Sequence, residues 1–377
     1  MKIAVMTLWG DFVNYGQQLQ AYALQQVLKA EGHEPYVVRY CAVERKKKKV
    51  LRRKLLIIPQ IKYRLVGRII KKQNLWEKFK SNGVKEWMDE NIVYSEEVWS
   101  SLDEIRSKPP QADVYLAGSD QIWRYTFNDS DTYPYFLDFG FPNVRRITYG
   151  ASFGMSRYPK RYCKELGRLL GNIDALSVRE KSGVDICASV GAKAVNVCDP
   201  VFLLPAEKWS SIIDETINGG VFIYNINIPE PQNIYMEDLK QMAQSRGLSI
   251  NVCMGLAFTL STECFGNDVN YYYGSMSQFL GGIRDADFVV AVGFHATAFA
   301  VLFHKKFVYV PIKGKYAKTN TRAFDLLNRL SLEGRIYDGS HSYDYYYDTP
   351  VDYSKAQPLL DDWREESMRF LMGSLES

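Results

Sequence analysis

Short apolar runs alternate with amphipathic stretches along the whole chain. The run from Lys2 to Leu8 closes on Gly10-Asp11 and predicts a buried strand. Leu19, Ala23, Leu24, Val27 and Leu28 share one face of a helix over residues 17–30, and Gly32 stops it. A second strand is expected from Glu34 to Tyr40. A strand, a helix and another strand in that order imply a parallel sheet with helices on its faces. The pattern resumes with strands over Val114–Ala117, Arg146–Ala151 and Leu176–Val178, and Leu166, Leu169, Leu170 and Ile173 mark a helix between the last two. Val195 to Val197 then leads into Asp199-Pro200, where a first domain can end.

A second alternating set follows. Val221–Ile226, Leu248–Cys253, Phe288–Val292 and Phe307–Pro311 read as strands. Met236–Arg246 and Ala296–Phe303 read as helices, with Phe279–Ile283 inside another. Trp363, Phe370 and Leu371 recur at helical spacing within Leu360–Met372. With 377 residues, two domains of ordinary size are expected. The expected fold is α/β: two Rossmann-like parallel-sheet domains facing one another across a cleft. The first spans residues 1–205 and the second 215–355, and a helix in 356–377 packs back toward the first. No internal sequence repeat is visible.

Composition adds little, with one exception. Hydrophobic residues make up 46% and charged residues 24%, a globular balance. No uninterrupted apolar run reaches the roughly 18 residues that span a bilayer. The apolar part of MKIAVMTLWGD is too short for a signal peptide, so a cytoplasmic protein is expected. The six cysteines are scattered without a Cys-x-x-Cys pair, which suits free thiols and gives no metal site. The exception is charge. Between Glu44 and Glu90, sixteen lysines and arginines stand against five acids. Residues 44–90 read as a basic excursion from the first domain. Either it is simply solvated, or residues 45–72 give peripheral contact with anionic membrane or an anionic glycan carrier at the inner face. Nucleic acid is not an expected partner, because the rest of the chain is not basic and carries no such motif.

Ligands of doubly wound sheets bind beyond the carboxyl ends of the strands. Four segments occupy such positions. Asn14-Tyr15-Gly16 follows the first strand; Gly16 permits close approach, and Asn14 can equally be a helix cap. This loop is not a dinucleotide fingerprint, since it lacks G-x-G-x-x-G. Gly118-Ser119-Asp120-Gln121-Ile122-Trp123 suits a binding loop, though Ser119 and Asp120 can also serve as caps. Arg179 ends another strand as a fork for phosphate or carboxylate, or as an ion-pair partner of Glu180 or Asp199. Gly293-Phe294-His295-Ala296-Thr297 opens a helix straight after a buried strand. A helix start there favours anions, and His295 can hand over a proton near neutral pH or merely satisfy local backbone. His33, His304 and His341 read as structural or surface residues.

These segments together resemble the polysaccharide pyruvyl transferase family. The resemblance is carried by Asn14-Tyr15-Gly16 before Leu19-Gln20-Ala21-Tyr22-Ala23-Leu24, and by the Gly118–Trp123 loop. Ser177-Val178-Arg179-Glu180, Asp199-Pro200-Val201 and Phe294-His295 follow in order, and then Arg322 with Leu326-Leu327, and Arg335. The family's usual Ser-Phe-His-Gly or Arg-Leu-His-Gly reads Gly293-Phe294-His295-Ala296 here. The resemblance implies a GT-B-like arrangement and a ketal-forming transferase of polysaccharide biosynthesis. Phosphoenolpyruvate would be the donor and a saccharide, free or lipid-linked, the acceptor, with no metal or other cofactor. It implies His295 as the general acid, with Arg179, Arg322 and Thr297 at the donor. Asn14, Tyr15, Gly16, Ser119 and Asp120 would line the acceptor side or cleft. Two alternatives stand beside it: a nucleotide-sugar glycosyltransferase of the same architecture, and a family member without catalysis, which the changes at Gly293 and Ala296 suggest.

Overall fold

The computed structural model describes residues 1–10, 14–41, 82–124, 130–217, 219–226, 228, 230–255 and 263–376. The expected membrane-contacting stretch, residues 45–72, lies outside them. Among the described residues, seven strands belong to the first half: β1 (Lys2–Met6), β2 (Glu34–Tyr40), β3 (Tyr94–Trp99), β4 (Val114–Ala117), β5 (Arg145–Thr148), β6 (Ser177–Val178) and β7 (Val195–Asn196). Five belong to the second: β8 (Val221–Asn225), β9 (Ile250–Met254), β10 (Asn270–Tyr272), β11 (Phe288–Ala291) and β12 (Phe307–Tyr309). All pairings are parallel.

The sheet orders are β3-β2-β1-β4-β5 and β10-β9-β8-β11-β12. The halves therefore share one topology although their sequences do not repeat. Single bridges from Ile147 to Ala175 and from Ala151 to Val178 extend the first sheet toward β6 and β7. In each sheet the order reverses at the central pair, β1/β4 and β8/β11, and a ligand crevice opens beyond such a point. Two strands, β3 and β10, escape a reading by apolar runs. Both are sheet edges, and their sequences YSEEVW and NYY place polar side chains where only one flank is covered.

The helices of the described residues are α1 (Tyr15–Ala30), α2 (Val84–Asn91), α3 (Leu102–Ser107), α4 (Cys163–Leu170), α5 (Lys181–Ala188), α6 (Ala206–Ser210), α7 (Met236–Ser245), α8 (Met276–Asp285), α9 (Phe294–Leu302), α10 (Thr321–Arg329), α11 (Tyr343–Asp348) and α12 (Tyr353–Glu376). One apolar core runs from α1 of the first half into α8 and α9 of the second. Tyr15 joins them: its ring stacks on Phe279 at 4.7 Å and 6°, and its hydroxyl donates to the Gly274 carbonyl at 2.6 Å. α12 lies on the first half, where Arg145 Nε donates to the Ser374 carbonyl at 2.7 Å and the Ser367 hydroxyl accepts from the Cys198 N–H at 2.9 Å. No helix of the described residues is long and apolar enough to cross a membrane.

Candidate functional site

The two crevices face each other, and the polar residues there converge on one buried carboxylate. α9 is apolar on every face and buried accordingly. The one polar side chain it leaves partly open is His295, in its first turn, whose side chain is 11% exposed. Its ring lies against Gly16 in the first turn of α1. A Cβ on Gly16 would fall 2.0 Å from His295 Nδ1, so space, not backbone geometry, demands glycine there. The other ring nitrogen, Nε2, stands 3.7 Å from Asp199 Oδ2 and has no hydrogen-bond partner among the described residues. That distance is too long for a hydrogen bond, so Nε2 is a buried nitrogen with its hydrogen-bonding capacity unfilled.

Asp199 is fully buried at the start of the turn Pro200–Leu203. Its Oδ1 accepts from the Val201 N–H at 3.1 Å. Its Oδ2 receives the Ser119 hydroxyl at 3.2 Å and Nη1 of Arg179. Burial alone would raise this carboxyl, but the Arg179 charge and then His295 outweigh it and hold it well below the usual carboxylate range. Arg179 follows β6 and is 3% exposed. With Nη1 engaged by Asp199 and Ser119, its Nε and Nη2 are buried without a partner among the described residues. Those two N–H groups form the side-on fork that grips a carboxylate or phosphate bidentately.

A second guanidinium completes the cluster. Arg322, in the first turn of α10, and Arg179 both lie over the Phe294 ring, at 5.7 and 4.7 Å. Arg322 is densely surrounded although part of its surface stays open, and its Nε lacks a partner among the described residues. Burial first, and then the Arg179 charge, pull its pKa down to about 10. Asp120 sits at φ +81°, a left-handed conformation that aspartate tolerates better than most residues. The Ser152 and Ile122 N–H groups pin its carbonyl at 3.0 and 2.8 Å.

The structure thus brings His295, Arg179, Arg322, Ser119, Asp120 and Gly16 together and turns three expected ligand residues elsewhere. Thr297 is fully buried and donates its hydroxyl to the Gly293 carbonyl at 3.0 Å, so it faces the helix and not the cleft. Tyr15 is wholly committed to the joint between the halves. Asn14 caps α1, accepting from the Gln17 N–H at 3.4 Å. Arg335 is likewise structural, donating to the Phe307 and Thr349 carbonyls at 2.7 and 3.1 Å. The changes flanking His295 leave its backbone undisturbed. Gly293 has φ −154°, open to any residue, and a Cβ there would meet only the Ile226 methyl at 3.3 Å. Sequence reasoning missed Asp199 as a site residue, although Asp199-Pro200-Val201 stood among the motifs.

A cavity of about 800 Å³ lies elsewhere, beside Lys2, His33 and Tyr36 at the amino ends of the first sheet, where such sheets do not bind ligands. Among the described residues, no three acidic, histidine or cysteine side chains are grouped to hold a metal ion.

The family model for polysaccharide pyruvyl transferase matches residues 14–314. No curated protein matches the chain significantly. Among solved structures, a Listeria monocytogenes protein assigned as a UDP-N-acetylglucosamine 2-epimerase aligns with a TM-score of 0.51 at 13% identity, covering 99% of this chain and 91% of that one. A UDP-GlcNAc 2-epimerase from Neisseria meningitidis aligns with a TM-score of 0.47 at 10% identity, covering 99% and 100%. The two parallel-sheet halves thus form a GT-B-like fold, similar to that of the Listeria protein.

Proposed function

This chain belongs to the polysaccharide pyruvyl transferase family, and we propose that it moves the pyruvyl group of phosphoenolpyruvate onto a sugar diol as a ketal. Membership implies a transferase and a sugar acceptor; the donor and the ketal are the proposed part. One observation supports the donor most directly. Arg179 presents an unpartnered, buried Nε–Nη2 edge beside Arg322 and His295. A buried guanidinium edge without a partner is costly, and an anionic ligand relieves that cost. Phosphoenolpyruvate carries both a phosphate and a carboxylate, one for each arginine.

Transfer needs a proton at the methylene carbon of the donor. His295 Nε2 supplies it, since it is unpartnered and lies at the same cluster. Asp199 acts by position. Held ionised, it fixes Nη1 of Arg179 and leaves the opposite edge turned to the ligand. Protonation makes the central carbon electrophilic, a sugar hydroxyl attacks it, phosphate leaves, and a second hydroxyl closes the ketal.

Calorimetry on the intact protein tests the donor. Phosphoenolpyruvate should bind, and Arg179→Ala should weaken it by about 10- to 150-fold, the loss of about 1.5–3 kcal/mol expected for a charge-assisted contact. Heat from a nucleotide sugar and none from phosphoenolpyruvate would favour a glycosyltransferase instead.

Gly16 gives a second prediction. Gly16→Ala should drive the His295 ring aside, because no side-chain atom fits 2.0 Å from its Nδ1. Displacing a reacting group by about 1 Å can cost about 10²-fold in rate. Transfer should fall by that order while phosphoenolpyruvate affinity and the melting temperature change little. Unaltered transfer would show that the contact with Gly16 does not place His295.

A further inference from the structure

Ketal formation releases two hydroxyl protons; His295, once it has given its own proton to the methylene carbon, can take back one of them, so the other needs a second acceptor. Asp199 is a poor base: both its oxygens are occupied and its carboxyl is held low. Asp120 is 7% exposed, with Oδ1 held by the Gln121 N–H at 2.7 Å. Two other carboxylates meet at the cleft. Glu180, next to Arg179, is 2% exposed; its Oε1 takes the Ser152 hydroxyl, and its Oε2 has no partner among the described residues. Asp325 stands one turn after Arg322 on α10, half-buried, and its Oδ2 accepts the Lys181 N–H of the first half at 3.2 Å.

In each half an arginine stands near an acid in sequence: Arg179 before Glu180, and Arg322 one turn before Asp325. The arginines share the Phe294 ring, and the acids meet at the amino end of α5. Asp325, bonded to the Lys181 N–H two residues past Arg179, therefore stands at the Arg179 end of the cleft. We propose that Asp325, set against Glu180, is the general base that takes the proton of the attacking acceptor hydroxyl, with Glu180 as its positioning residue. This rests on the pyruvyl-transfer reading above.

The step balances. The acceptor O–H bond breaks, its proton passes to Asp325, and its electron pair forms the bond to the central carbon, whose methylene has taken a proton from His295. The bond from that carbon to the phosphate oxygen then breaks, and the electrons leave with phosphate. The second hydroxyl closes the ketal. Of the two hydroxyl protons, one departs on hydrogen phosphate and the other restores His295.

The electrostatics suit the role. Burial, and then the Glu180 charge, push the Asp325 carboxyl up to about 6, near working pH, where a general base is most effective. Glu180 and Lys181 across the cleft act on it directly; its own helix also carries Arg322, and α9, which packs against that helix, carries His295. A base must be unprotonated, so the rate should fall as pH drops through that region. Removing the Glu180 charge should carry the fall to lower pH.

The test follows kcat/KM against pH for pyruvyl transfer, with phosphoenolpyruvate binding measured in parallel. Asp325→Asn should lose about 10²–10⁴-fold in transfer and lose the acidic limb, while donor affinity stays within about twofold by the same argument. Glu180→Gln should move the acidic limb to lower pH. Near-normal transfer by Asp325→Asn, or an unmoved limb in Glu180→Gln, overturns the assignment; the second readout stands even if the first variant does not fold. A wild-type protein that binds no phosphoenolpyruvate overturns the underlying reading, and the base with it.

Discussion

Replacing His295 with alanine is expected to lower pyruvyl transfer by about 10²–10⁴-fold, the usual contribution of a positioned general acid. Protonation at carbon is the step water performs poorly, and no other histidine lies in the cleft. His33 is at the far end of the first sheet, His304 pairs with Gln357 at 2.7 Å, and His341 pairs with Ser340. The fold should survive. Nε2 of His295 has no hydrogen-bond partner among the described residues for the variant to strand, and the ring's neighbours are Gly16 and the edge of Phe294, so its loss leaves only a small gap. His295→Gln keeps a hydrogen-bond donor but cannot deliver a proton, so it should be nearly as impaired. Transfer assays run beside melting curves decide the matter. Two folded variants with near-normal turnover would make His295 a space-filling residue and send the search for the acid elsewhere.

Much of this was legible in the chain, for physical reasons that differ by element. Central strands such as β1, β8 and β11 are buried on both faces and read as unbroken apolar runs. Edge strands β3 and β10 carry no such run. The candidate positions were legible because parallel sheets bind ligands past their strand ends, and Arg179, Asp120 and His295 follow such ends. The pairing of Arg179 with Asp199 was among the readings of the sequence, but the approach of His295 to the same carboxylate was not. Nothing in the spacing of Arg179, Asp199 and His295 shows that one carboxylate lies between the other two. Tyr15 looked like a cleft residue because it follows a strand, yet its ring had a larger apolar surface to bury against Phe279 and Tyr224. Thr297 looked like a ligand residue because it follows His295. A threonine four residues after Gly293 bonds back to that carbonyl instead.

The Arg179–Asp199 pair gives the other large effect, and it separates support of the fold from recognition of the donor. Asp199→Ala strands a buried guanidinium, so the protein should lose about 3–5 kcal/mol. Asp199→Asn, which keeps the shape but not the charge, should lose part of that. The sign with pH follows from the depressed carboxyl. Its contribution is fully present above its unfolded value of about 3.9 and is lost only as pH falls through the lower folded value. The gap between wild type and Asp199→Asn should therefore be full at neutral pH and narrow in strong acid. Arg179→Ala alone is ambiguous, because it strands Asp199 while removing the fork. The double variant Arg179→Met, Asp199→Leu resolves this. Replacing both members of a buried pair by apolar groups of similar volume is often neutral or stabilising. The double variant should thus melt closer to wild type than either Arg179→Ala or Asp199→Ala, and yet bind no phosphoenolpyruvate. Denaturant unfolding and calorimetry on the same samples measure the two quantities. Restored stability together with retained donor binding would show that the pair only braces the cleft, and the donor's anionic groups would then have to be held by Arg322 and its neighbours.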